Sequence, residues 1–125
     1  MGATAAVIFS ALIIGLALFQ ANLAAGAPWG RLAWGGQYAR LPPRLRVASV
    51  FSILIYVGLA AIVLGRAGLV ALTGDWLGPA AWAVVGFMAL GTAMNAISPS
   101  VPERLVMAPI AAVLCGTAAI VALGW

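Results

Sequence analysis

The 125-residue chain is 66% hydrophobic and 6% charged, with a formal net charge of +4; a soluble globular domain is nearer half apolar and about a quarter charged. So few polar side chains cannot cover a water-facing surface, and the composition excludes a soluble domain in favour of a bilayer protein. A membrane-spanning helix takes about 20 apolar residues, so four spans use about 80 and leave only loops and tails.

The inventory also narrows the chemistry. There is no His, no Lys, one cysteine (Cys115) and two acids, Asp75 and Glu103. General acid–base catalysis draws mostly on His, Asp, Glu, Lys, Tyr and Cys, and metal sites on His, Cys and carboxylates. No enzyme activity, cofactor or metal is expected. One cysteine forms no intrachain disulfide and, with nothing nearby to lower its pKa, is expected to be inert. The charge comes from six arginines, read as groups that orient helices and meet anionic lipid; no nucleic-acid partner is expected. Arginine without lysine in an Ala- and Gly-rich chain points to a GC-rich bacterial genome, and hence to the bacterial plasma (inner) membrane.

Along the chain, the first predicted span covers about residues 4–25. Met1–Val7 lacks the positive segment of a signal peptide, so this span is expected to be retained. A loop from Gly26 to Arg46 holds three prolines and four arginines. The second span covers 47–66, with a possible continuation to Leu72, and Thr73-Gly74-Asp75 makes a turn. The third covers 79–97, Ser98-Pro99-Ser100-Val101-Pro102 breaks it, and the fourth covers 103–124. All four are read as helices, because an open sheet edge in hydrocarbon leaves backbone groups unpaired. The expected fold is all-α, a single four-helix transmembrane domain. Pro109 should kink or interrupt the last span.

Orientation follows from arginine placement. Four spans put the 26–46 and 98–104 loops on one side, with Arg31, Arg40, Arg44, Arg46 and Arg104, against Arg66 alone on the other. The positive-inside rule then puts these loops in the cytoplasm and both termini outside. Trp29 and Trp34 fall at the inner interface and Trp76, Trp82 and Trp125 at the outer one, as an aromatic belt requires. Similar Arg-led openings of spans two and four raise the possibility of two related hairpins, as in parallel-repeat transporters.

The acids read first as helix caps. Ser100-Val101-Pro102-Glu103 fits a capping box, with a salt link from Glu103 to a loop arginine as the alternative. Asp75 stands where the third helix would take its N-cap. Gln20, Asn22, Ser49, Ser52, Asn95 and Ser98 share one depth, in the cytoplasmic leaflet. Ser49, Ser52 and Tyr56 share a helix face by their spacing. Such polar groups are expected to turn inward, either as interhelical glue or as a pocket rimmed by Arg31, Arg44, Arg46 and Arg104 that would suit an anionic headgroup or solute. Ala11/Gly15, Ala89/Ala93 and Ala112/Gly116 have small-xxx-small spacing, compatible with packing inside the bundle or with a homodimer. The Pro28–Gln37 stretch suits a short segment in the headgroup layer, and its loop is long enough to mark function.

Pro28 through Gly36, with Asn95-Ala96-Ile97-Ser98-Pro99-Ser100 and Glu103-Arg104-Leu105, resembles small four-span bacterial inner-membrane proteins of unassigned function. The resemblance implies fold and location and no activity. Small multidrug exporters of this size depend on an acid in the first span, and here there is none. Two functions are therefore expected: a non-catalytic structural or interaction protein, oligomeric or in a complex, or a protein that binds or transports a lipid or small hydrophobic or anionic solute. The orientation is testable by itself. Single cysteines in the 26–46 loop and after Trp125 should react with an impermeant thiol reagent from opposite faces of intact cells; equal labelling refutes the orientation.

Overall fold

The computed structural model describes residues 1–125 and contains four α-helices, two short 3-10 turns and no strand. The helices are α1 (Gly2–Ala24), α2 (Pro43–Arg66), α3 (Leu77–Ala96) and α4 (Val101–Ala122). The shortest has 20 residues, about 30 Å at 1.5 Å per residue, which matches the hydrocarbon thickness of a bilayer. All four are apolar enough to cross it. The chain is a multi-pass membrane protein built as a four-helix bundle.

Several boundaries differ from expectation, each for a local reason. α2 starts at Pro43 rather than Val47, because Pro42 is extended and Pro43 occupies the first helical turn, where its missing N–H costs nothing. Arg44 and Arg46 therefore lie on the first turn of α2, not in a loop. α2 stops at Arg66, with Ala67 as C-cap and Gly68 in the left-handed region at φ +77°. Asp75 does not cap α3: the N-cap is Trp76, without a side-chain bond. The Leu77 N–H instead bonds the Gly74 carbonyl, which leaves the exposed Asp75 inside the preceding turn, one position too early. Ser100 does cap α4, its Oγ accepting from the Glu103 N–H at 3.4 Å. Pro109 does not end α4, which runs through it as one helix.

The four rods alternate in direction, so the chain has two ends. At the terminal end, Gly2 lies against the Trp125 carbonyl and Arg66 donates to the Ala122 carbonyl at 3.1 Å. At the other, here the arginine end, the segment between α1 and α2 folds over the bundle. Two 3-10 turns, Gly30–Leu32 and Trp34–Gly36, form its centre. The Gly30 N–H donates to the Ala39 carbonyl at 2.8 Å, so close that a Cβ on Gly30 would collide with the Tyr38 carbonyl. Ser100 Oγ donates to the Arg31 carbonyl, tying this segment to the start of α4. Phe19 and Trp29 stack with ring centroids 6.3 Å apart, and Leu23, Ala33 and Leu41 form a small buried cluster beneath the segment.

The main core is concentrated at the terminal half. Phe9 and Ile13 of α1, Val63 of α2, Val84 and Met88 of α3, and Leu114 and Val121 of α4 pack together there. Lipid is as apolar as these side chains, so the association rests on close packing and hydrogen bonds rather than on escape from water. The three small-xxx-small pairs take no part. Ala11, Gly15, Ala89, Ala93, Ala112 and Gly116 are all exposed, and a Cβ added at Gly15 or Gly116 would meet nothing.

Candidate functional site

The arginine-end half of the bundle is not filled. A cavity of about 220 Å³ lies between all four helices, roofed by Leu32, Ala33 and Trp34 of the folded segment. Its wall is mostly apolar: Leu16 and Phe19 from α1, Ile55 from α2, Phe87 and Met88 from α3, and Met107, Ile110 and Leu114 from α4. Five polar side chains interrupt it, Gln20, Ser52, Tyr56, Asn95 and Glu103. Ile55 and Phe87 line the cavity yet are 47% and 45% exposed. Each therefore has surface exposed as well as surface in the cavity wall. A second, more open groove of about 600 Å³ lies beyond the cavity at the arginine end, and Trp34, Gly91, Asn95 and Glu103 line both.

The polar residues expected at one depth divide into four groups, one of them Ser98 alone, which is buried and lines only the outer groove. Gln20, Ser52 and Asn95 converge on the cavity. Ser52 Oγ also donates to the Ala48 carbonyl of its own helix at 3.1 Å. Ser49 is fully buried but holds the roof, its Oγ accepting from the Trp34 indole N–H at 3.2 Å. Asn22 is exposed, and its amide donates to the Leu18 carbonyl one turn back, at 2.8 Å. It does not turn inward, because residues two apart on a helix do not face the same way and Gln20 holds the inward position.

Gln20 is the least satisfied member of the site. It is 8% exposed, and its Oε1 is buried without any hydrogen-bond partner. Tyr56 lines the same cavity. An orphaned buried carbonyl costs about 1–3 kcal/mol and counts as a feature to be explained.

The arginine rim is not assembled. Arg31 donates to the Gly36 carbonyl (2.8 Å), Arg46 to the Leu41 carbonyl (3.0 Å) and Arg104 to the Ser98 carbonyl (2.9 Å). Each guanidinium closes a nearby turn, and none of the three lines the cavity or the groove. Arg44 donates to the Tyr38 hydroxyl at 3.3 Å and lines the outer groove alone.

Glu103 is the residue that sequence reasoning misplaced. In a capping box its carboxylate would turn back to the Ser100 N–H, but Ser98 Oγ already accepts that N–H at 3.1 Å. The alternative salt link does not form either: Arg31, Arg44, Arg46 and Arg104 bond other groups, and Arg40 is exposed. Glu103, 6% exposed, instead lines the cavity and the groove. The Ser98-x-Ser100 spacing was the available signal, because a serine two residues ahead competes for the same donor.

Trp34 was read as an interfacial anchor and is also part of the roof. Its backbone is left-handed at φ +53°, followed by Gly35 at +77° and Gly36 at +70°. For a bulky side chain this conformation costs on the order of 1–3 kcal/mol and is held only by its surroundings. The Ser49 bond and the close packing of Gly36 against Ser100 supply them. Trp29, Trp76, Trp82 and Trp125 are exposed on the surface, none of them lining the cavity or the groove.

No protein-family model, curated protein or solved structure matches this chain. Its site is therefore read from its own residues. Because Gln20 Oε1 is buried without a partner, Gln20→Leu should stabilise the empty protein by up to the ~1–3 kcal/mol that such an orphan costs. Thermal unfolding in neutral detergent, followed by far-UV circular dichroism, should give a raised midpoint; a lowered one would mean that the amide is already satisfied.

Proposed function

We propose that this protein is a non-catalytic binding protein of the bacterial inner membrane that holds a small, largely apolar solute between its helices. In this reading the arginine end faces the cytoplasm and both termini lie outside, in keeping with the five-to-one distribution of arginines between the two sides. The cavity then sits in the cytoplasmic leaflet. One observation carries the proposal. A cavity of about 220 Å³ with a mostly apolar wall contains a buried amide oxygen that nothing in the chain satisfies. Binding sites for small molecules have this character, an apolar lining with a few placed polar groups.

A structural or assembly role is the second reading, favoured by the outward placement of all three small-residue pairs. Exposed Gly15 and Gly116 let a second helix approach closely. The two roles are compatible in one homo-oligomer.

Gly91 offers a direct test. It lies on α3 between the cavity and the groove, and a Cβ there meets no neighbour within 4 Å. Gly91→Phe should leave the fold intact, fill the passage and weaken binding of propylbenzene by about tenfold or more, read by equilibrium dialysis against wild type; unchanged binding, or none by either protein, refutes the binding function. For the assembly reading, Gly15→Ile with Gly116→Ile should reduce the mass of the detergent-solubilised particle measured by light scattering; an unchanged mass counts against it.

A further inference from the structure

The cavity presents hydrogen-bond acceptors and a carboxylate, and no arginine lines it; Arg44 lines only the outer groove. Gln20 Oε1 is buried without a donor. Glu103 is 6% exposed, lines the cavity, and has no hydrogen bond or ion pair to an arginine. Asn95 lines it as well and makes no side-chain hydrogen bond within the chain. Each can accept an N–H, and a carboxylate supplies the counter-charge that an anionic ligand would have to overcome. The walls include the aromatic residues Phe19, Trp34, Tyr56 and Phe87, a residue type whose ring faces attract cations. Arg31, Arg46 and Arg104, the groups that would favour an anion, are held by the backbone carbonyls of Gly36, Leu41 and Ser98.

We infer that the solute is a primary amine in its ammonium form attached to a compact apolar body. The ammonium donates to Glu103 and to Gln20 Oε1, with Asn95 as a third acceptor, and the apolar part fills the space toward Met88 and Leu114. This rests on the binding function proposed above and assigns its ligand class. An ammonium has three donors, one for each of these acceptors. Charge-assisted bonds in a lipid-surrounded site are the strong kind.

Three probes of one shape separate the possibilities: phenethylammonium, neutral propylbenzene and anionic 3-phenylpropionate. The experiment is equilibrium dialysis of each against the full-length protein in dodecyl maltoside. The expected order is phenethylammonium tightest, by about tenfold or more over propylbenzene, the factor that corresponds to ~1.4 kcal/mol, and 3-phenylpropionate weakest. Glu103→Gln should remove the preference for the cation and keep propylbenzene binding. The Ser100 cap on α4 uses the Glu103 backbone N–H, so this substitution leaves it in place. Equal binding of all three probes by wild type, tighter binding of 3-phenylpropionate, or an undiminished preference in Glu103→Gln overturns the inference while the binding function stands. Failure of propylbenzene to bind, with no discrimination by Gly91→Phe, overturns the binding function itself. If Glu103→Gln does not fold, the wild-type ranking alone decides. Competition by added phosphatidylethanolamine but not phosphatidylglycerol would identify a lipid headgroup as the amine's source; absence of competition would identify a free amine. Both results support the ammonium assignment.

Discussion

The bilayer supplies no hydrogen bonds, and the structure is organised around that constraint. Each backbone N–H and C=O within the hydrocarbon has to find its partner inside the chain, which leaves helices as the available form. The same demand governs the connections. The segment between α1 and α2 is folded rather than loose because its carbonyls are taken up by Arg31, Arg46, Ser100 and the Gly30 N–H. Among buried side chains two oxygens are left without a partner, Ser10 Oγ on the packed part of α1 and Gln20 Oε1, which lines the cavity.

Fold and site were legible to different depths. The four spans were readable because apolar length alone decides them, and all four are present at nearly the expected bounds. The shared depth of Gln20, Ser52 and Asn95 was also readable, since antiparallel rods bring the end of one level with the start of the next. Rotation about each helix was harder. Gln20 and Asn22 have the same depth, yet a two-residue step points them apart, and only one reaches the interior. Spacing on α2 did carry rotation, because Ser49, Ser52 and Tyr56 recur at three and four residues and lie on the inward side.

The misread charges have a common cause. Asp75 and Glu103 each stand at a helix start, where an acid is usually a cap, and in each case a neighbour had already taken the bond: the Gly74 carbonyl in one, Ser98 Oγ in the other. The arginines were expected to gather around the polar cluster, but a guanidinium near the end of a helix finds free carbonyls closer at hand. Sequence gives proximity along the chain; it does not give the outcome of competition among several donors for one acceptor. That competition leaves, in place of the cationic rim that one of the two readings allowed, a cavity lined by a carboxylate and an unpaired amide oxygen.

The carbonyl bonds of Arg31, Arg46 and Arg104 have a consequence for substitution at these positions. Each guanidinium answers a backbone carbonyl five or six residues away along the chain. A lysine would keep the charge and lose the planar fork of donors. Charge and shape are thus separable properties of the same side chain, and the turn depends on the second.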